Sequence, residues 1–301
     1  MSLATDLAMS VILRRNHNEG AKNVSDSVIY PLTIERLPFE KYRELHGENA
    51  SSLIHALDSA KAYRFAKDNP REDNDTYRAG RAAHTAVLEP MRFLKEYVIW
   101  EGGDRRGKAW EEFKAKNEGK TILKPELYDP AVAQRDAVMA HPIAGALFRE
   151  PGRGELTIQW RHRSGLLCKS RIDWLCSALV DLKTTSAKSP EQFERQAYDL
   201  KYHVRMAFYL DACRASGVDA PVKLVVVPKA APHDVYVTTL DPALLDAGRE
   251  EYERAIDLVQ SCQKTGVWPG RAEREELSLK LPAWAQKFDE EEALTYEGAT
   301  L

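Results

Sequence analysis

Apolar positions change their period near residue 150. Before it, the pattern is helical. Residues 51–66 place Leu53, Ile54, Leu57 and Ala60 on one face. Residues 68–75 are polar and predict a loop. A second helix is predicted over 76–88, capped by Asp75 or Thr76, with Pro90 just past its end. More helix is predicted over 109–116 and 130–148, after a basic loop at 102–108. Residues 1–45 show no clear period and read as an arm or small subdomain. The main domain is expected over 46–270, and 271–301 reads as a tail packing on or extending from it.

Beyond residue 150 the pattern alternates. Leu156-Thr157-Ile158-Gln159-Trp160 has the period of two of a half-buried strand. Residues 166–175 alternate in part, and 179–182 follow a short turn. Ser189-Pro190-Glu191-Gln192 opens a helix, with Ser as cap, Pro at the first helical position and Gln192 completing a capping box. The helical pattern runs to Gly217, with a break expected at 199–202. Residues 222–227 form a Val-rich buried strand and 234–240 its neighbour. Asp241-Pro242 then caps a long helix ending near Gly266. The predicted architecture is α/β: a central mixed sheet flanked by helices.

Within that sheet, Asp181 and Lys183 are two residues apart on one strand, so they share a face. With Cys176, Ser177 and Ala178 as a turn, Asp173 falls opposite Asp181. Facing carboxylates repel in a strand pair, and a divalent cation between them removes the conflict. Oxygen ligands of this kind suit Mg2+ or Mn2+. Such an ion activates water and polarises a phosphoryl oxygen, while Lys183 positions the water or stabilises developing charge. An Asp-x-Lys alone is equally a surface ion pair. The apolar flanks Leu179, Val180 and Leu182 favour the buried reading.

The chain has 301 residues, 44% hydrophobic and 30% charged, enough for one large domain or two small ones. No apolar run is long enough to span a bilayer and no secretory leader is visible, so a cytoplasmic location is expected. The net charge of -3 excludes a protein that coats nucleic acid by bulk positive charge. Any positive potential is local. Cys168, Cys176, Cys213 and Cys262 contain no C-x-x-C pair, which argues against zinc. Their wide spacing argues against an iron–sulfur cluster and for reduced thiols.

Gly80-x-x-x-His84, Arg171-Ile172-Asp173, Asp181-Leu182-Lys183-Thr184-Thr185 and Tyr202-His203 leading to Tyr209 follow in order. Ala86-Val87-Leu88-Glu89-Pro90, Gly165-Leu166-Leu167-Cys168-Lys169, Ala207-Phe208-Tyr209-Leu210-Asp211 and Trp268-Pro269-Gly270 accompany them. Across roughly residues 50–285 the chain resembles the RecB-like branch of the PD-(D/E)XK nucleases. More narrowly, it is similar to the RecE-type exonuclease VIII domain of phages and prophages. The resemblance implies a restriction-endonuclease-like core. It makes Asp173 and Asp181 metal-ligand carboxylates and Lys183 the catalytic lysine. The backbone carbonyl of Leu182 and the side chain of His84 would complete the metal shell. Gly80, one turn before His84, would let a substrate or strand approach closely. Related enzymes carry Gln where this chain has Arg205, four residues before Tyr209. Arg205 would contact either phosphate or Asp181.

Glu155 reads equally as a further acidic site member and as a solvated strand end. Arg81, Lys169, Arg171 and Lys188 are candidate phosphate contacts or ordinary solvated side chains. Tyr202, Arg205 and Tyr209 join the DNA-contact candidates on the helix of the last motif.

The resemblance implies an exodeoxyribonuclease acting on duplex DNA ends, 5′ to 3′, and leaving a single strand for an annealing recombinase. Homo-oligomeric rings occur among processive relatives. An endonuclease, or a nuclease within another DNA-processing complex, would share the motif. A non-catalytic binding module would be expected to have lost part of the metal shell, and the principal residues are all present.

Overall fold

The computed structural model describes residues 31–70, 74–273 and 275–281. Most of the expected arm over 1–45, and most of the expected tail over 271–301, lies outside the described residues. Six strands form the main sheet: β1 (Pro31–Arg36), β4 (Arg153–Arg161), β5 (Leu167–Leu175), β6 (Leu179–Thr185), β7 (Val222–Pro228) and β8 (Tyr236–Thr239), in that spatial order. Neighbours are antiparallel except β6 and β7, which run parallel. A parallel pair needs a crossover. Here α9 (Pro190–Asp199) and α10 (Tyr202–Ala215) supply it.

Side chains alternate between two apolar layers. Leu156, Ile158, Ile172, Leu179, Leu224 and Val226 pack beneath α10, α11 (Pro242–Thr265) and α2 (Ala50–Asp58). Val180, Leu182, Val225 and Val227 pack on the other face against α4 (Asp75–Leu88), α7 (Pro125–Ala140) and α8 (Pro142–Arg149). The α10–α11 contact depends on Gly248, where a Cβ would lie 2.4 Å from the carbonyl oxygen of His203. α11 ends at Gly266, whose φ of 72° is open to glycine at little cost.

The helix expected over 51–66 is two, α2 and α3 (Ala60–Asp68). Ser59 is extended between them, and its hydroxyl accepts the Ala62 amide at 3.0 Å. The segment 130–148 likewise divides at His141-Pro142, because proline lacks an N–H and restricts the residue before it. Pro130 lies inside α7 instead of opening it. Asn74, not Asp75 or Thr76, caps α4 by accepting the Tyr77 amide at 2.9 Å, and Pro90 opens a further helix, α5 (Pro90–Glu96). Ser189 caps α9, but the Gln192 side chain accepts the amide of Lys188 instead of that of Ser189.

The break near 199–202, the strands at 222–228 and 236–239 and the end at Gly266 agree with the pattern. Two elements had no clear signal. One is β1, an edge strand on β4 followed by α1 (Phe39–Glu44). The other is a parallel pair, β2 (Tyr97–Ile99) and β3 (Thr121–Leu123), flanking α6 (Lys108–Lys116). The four cysteines are free. Among the described residues no helix is long and apolar enough to cross a membrane.

Candidate active site

β5 and β6 pair only at Trp174↔Val180 and Leu175↔Leu179. One step further in the same register, Asp173 stands across from Asp181. There the ladder ends, and the Asp173 carboxylate takes over by accepting the Leu182 amide at 2.8 Å. On the other side of β5, the pairs Gly154↔Trp174 and Leu156↔Ile172 bracket Glu155 and Asp173. Glu155 itself adopts φ 53°, an uncommon conformation for a residue with a Cβ. Glu155, Asp173 and Asp181 thus occupy one row across three adjacent strands.

The parting of β5 and β6 opens the sheet to groups from both faces. From α4, His84 reaches Asp173, with Nδ1 3.5 Å from Oδ2. A hydrogen bond joins His84 to the Leu182 backbone. Both polar groups of a strand residue point to one side, so Leu182 turns its amide and its carbonyl into the gap. From α10, Tyr202 lies under the Lys183 ammonium, 4.9 Å from ring centre to Nζ. Arg205 sits 5.9 Å from the same ring. Tyr209 follows one turn later. Lys201, left-handed at φ 58°, sets the start of α10 and so aims this face at the gap.

Lys183 and Asp181 form a close ion pair, buried to within 11% and 4% side-chain exposure. Burial first, then repulsion from Asp181, pushes the Asp173 carboxyl up to about 7, against opposing pulls from Lys183 and the Leu182 amide. Glu155 is also raised, by burial and then by Asp173. Burial and the Lys183 charge lower His84, which keeps its imidazole neutral at pH 7 and able to act as a ligand.

The remaining sequence candidates separate. Arg171 is fixed inside the protein. It forms an ion pair with Glu155, donates to the Leu37 carbonyl at 2.7 Å, and lies 5.6 and 5.8 Å from the rings of Phe39 and Tyr42. Lys169 is buried, and its ammonium donates to the carbonyls of Tyr42, Arg43 and Leu45 at 3.0, 3.2 and 2.6 Å. Those bonds use its three protons at the end of α1, which leaves none for a phosphate. Arg81 and Lys188 are exposed. Gly80 faces open space: a Cβ added there would meet nothing within 4 Å, so no strand of the described chain approaches it. Sequence pattern missed Phe39 and Tyr42, whose i,i+3 spacing was the available signal. It also missed Ser51 and Glu48. With Arg43, Lys67, Tyr209 and Asp173 these residues line a cleft of about 690 Å³ that reaches Asp173.

A family profile described as a PDDEXK-like domain of unknown function matches residues 50–279. The chain belongs to that family. The PDDEXK-like chain is also similar to a solved protein from Eubacterium rectale, provisionally assigned as an exonuclease. The TM-score is 0.55 at 14% identity, covering 87% of this chain and 96% of the other. A phage-related exonuclease from Haemophilus somnus 129PT gives a TM-score of 0.32 at 12% identity, over 75% of this chain and all of the other. The first likeness is one of fold, and the second carries no weight here. None of the curated proteins compared with the chain matches it. Membership agrees with the PD-(D/E)XK resemblance of the motifs.

Among the described residues of this PDDEXK-like domain, no three His, Cys, Asp or Glu side chains already converge as a metal cage. The donor set nonetheless fits Mg2+. That ion keeps several waters and is held by one or two carboxylates, and burial with the neighbouring Asp181 raises the Asp173 carboxyl, a conflict that a divalent cation would relieve.

Proposed function

We propose that this chain is a divalent-metal-dependent nuclease that degrades linear duplex DNA from its ends. The reading rests on one observation: Asp173, Asp181 and Lys183 meet where β5 and β6 part. Asp173, Asp181 and the Leu182 carbonyl would hold Mg2+ or Mn2+, with His84 beside them. Glu155 joins the shell once released by Arg171. The ion supplies charge compensation at the phosphoryl oxygen and an activated water.

The residues of the chain supply the rest. Lys183, oriented by Asp181 and the Tyr202 ring, places a compact positive charge where negative charge develops on the phosphate. Tyr202, Arg205 and Tyr209 form the strand-facing wall, and Arg81 adds a cation on α4.

The finer reading is 5′-to-3′ resection that leaves a 3′ strand for a phage-type annealing recombinase, with a homo-oligomeric ring as the processive form. It is tested with purified protein, Mg2+ and duplexes labelled at either end, beside covalently closed circles. Shortening from 5′ ends with intact circles supports the reading. Shortening from 3′ ends reverses the polarity, and rapid nicking of circles makes the enzyme an endonuclease.

A further inference from the structure

Several partly buried arginines of this protein are paired with carboxylates. Arg92 meets Glu89, Arg171 meets Glu155 and Arg249 meets Asp211. Arg205 differs. The single hydrogen bond of its side chain among the described residues is a long one, from a terminal guanidinium nitrogen to the Ser51 hydroxyl at 3.4 Å. Its Nε is buried with no partner among those residues. A buried Nε left this way has lost hydration without replacing it. An anion from outside the chain would complete such a group.

The position of Arg205 indicates which anion. It lies on α10 one turn before Tyr209, and Tyr209 and Ser51 both line the cleft that ends at Asp173. The ring of Tyr202 carries two cations, Lys183 and Arg205. Lys183 belongs to the reacting phosphate. Arg205 makes no ion pair with Asp173 or Asp181, so it does not compete with a metal for either. A guanidinium fork presents two parallel donors to two phosphate oxygens, and the Ser51 hydroxyl adds a third donor beside them.

We propose that Arg205 and Ser51 together receive a second, non-scissile backbone phosphate of the strand being cut. This rests on the nuclease reading above and adds a specific grip to it. The strand is held by charge at two points, one at the metal and Lys183, one at Arg205 and Ser51. Binding therefore keeps a large part of its strength without metal.

The test is anisotropy of a fluorescein-labelled linear duplex in EDTA across a salt series, with steady-state cleavage in Mg2+ alongside. Arg205→Gln should weaken metal-free binding by about 10- to 100-fold, as loss of a charged hydrogen-bonding partner does. It should reduce the slope of log affinity against log salt by about 1. It should raise KM while leaving kcat close to wild type, because the contact is not made to the reacting group. Arg205→Lys should keep the slope but bind more weakly, and Ser51→Ala should show a smaller loss of the same kind. Thermal stability should change much less than DNA binding, since Arg205 makes no ion pair and its loss removes only a weaker pull on Asp173 and the Tyr202 contact.

Unchanged affinity and slope in Arg205→Gln would overturn the proposal. So would a fall in kcat at constant KM, which would put Arg205 at the scissile group. Wild-type protein that binds but cleaves no DNA would count against the nuclease reading alone, because the metal-free binding comparison stands without cleavage.

Discussion

The Asp173 carboxylate accepts the backbone amide of Leu182 at 2.8 Å. A side chain of one strand thereby replaces the ladder bond that its neighbour would otherwise make. The replacement keeps β6 in place while β5 turns away. It also leaves two carboxylates close together with a single ammonium, that of Lys183, paired with one of them.

That charge imbalance has a pH signature without metal. The Asp173 carboxyl is raised to about 7 from an ordinary value near 4. Between those values the unfolded chain has released the proton and the folded chain still holds it. Folding stability therefore falls as pH rises through this window, by an amount on the order of a few kcal/mol. Thermal melts in EDTA should show wild type losing stability from pH 5 to pH 8. Asp173→Asn should lose much less and be the more stable protein at pH 8. Added Mg2+ should flatten the wild-type curve.

Lys183→Ala should lower kcat by about 100-fold or more, the usual cost of one preorganised charge at a transition state, while DNA binding persists. Lys183→Arg should recover little, because a planar guanidinium does not replace an ammonium in contact with Asp181 and Tyr202. Without metal, Lys183→Ala should also melt earlier, since Asp181 is left buried and unpaired. Single-turnover cleavage and melting of the same preparation check both parts. Full activity in Lys183→Arg would count against a specific role.

Lys169→Met should cost about 1–3 kcal/mol of stability for each backbone carbonyl left unsatisfied in a buried place. It should leave the salt slope of DNA binding unchanged, because the Lys169 ammonium already bonds the carbonyls of Tyr42, Arg43 and Leu45. A reduced slope with normal stability would return Lys169 to the phosphate contacts.

His84→Ala should impair cleavage, and raised Mn2+ should restore part of it, if the neutral imidazole belongs to the metal shell. His84 is partly buried, with 29% of its side chain exposed, so the melting temperature should fall only modestly. A large stability loss with normal activity per folded molecule would make it a packing residue.

The sheet and the residues of β6 were legible in the sequence because alternation and charge coincide there. Asp181 and Lys183 interrupt an otherwise apolar strand, and charges in such a place need partners. Asp173 was legible from the turn at Cys176–Ala178, although the pairing stops one residue short of it. Arg171 and Lys169 were not. Both are basic residues on a strand beside the site, and sequence cannot tell a phosphate contact from an internal one. The distinction comes from α1, whose Phe39 and Tyr42 rings and terminal carbonyls receive them. That helix has six residues, too short to establish a period. The break at Ser59 was hidden for a related reason, since a serine cap inside a helical pattern looks like an ordinary polar position.

The carboxylates and Lys183 at the parting of β5 and β6 are proposed to form a nuclease centre. The most direct measurement is release of nucleotides from an end-labelled linear duplex in Mg2+, by wild type and by Asp181→Asn at equal concentrations of folded protein. Wild type should show metal-dependent degradation and the variant none above background. Equal degradation by both would rule out a nuclease centre at these residues.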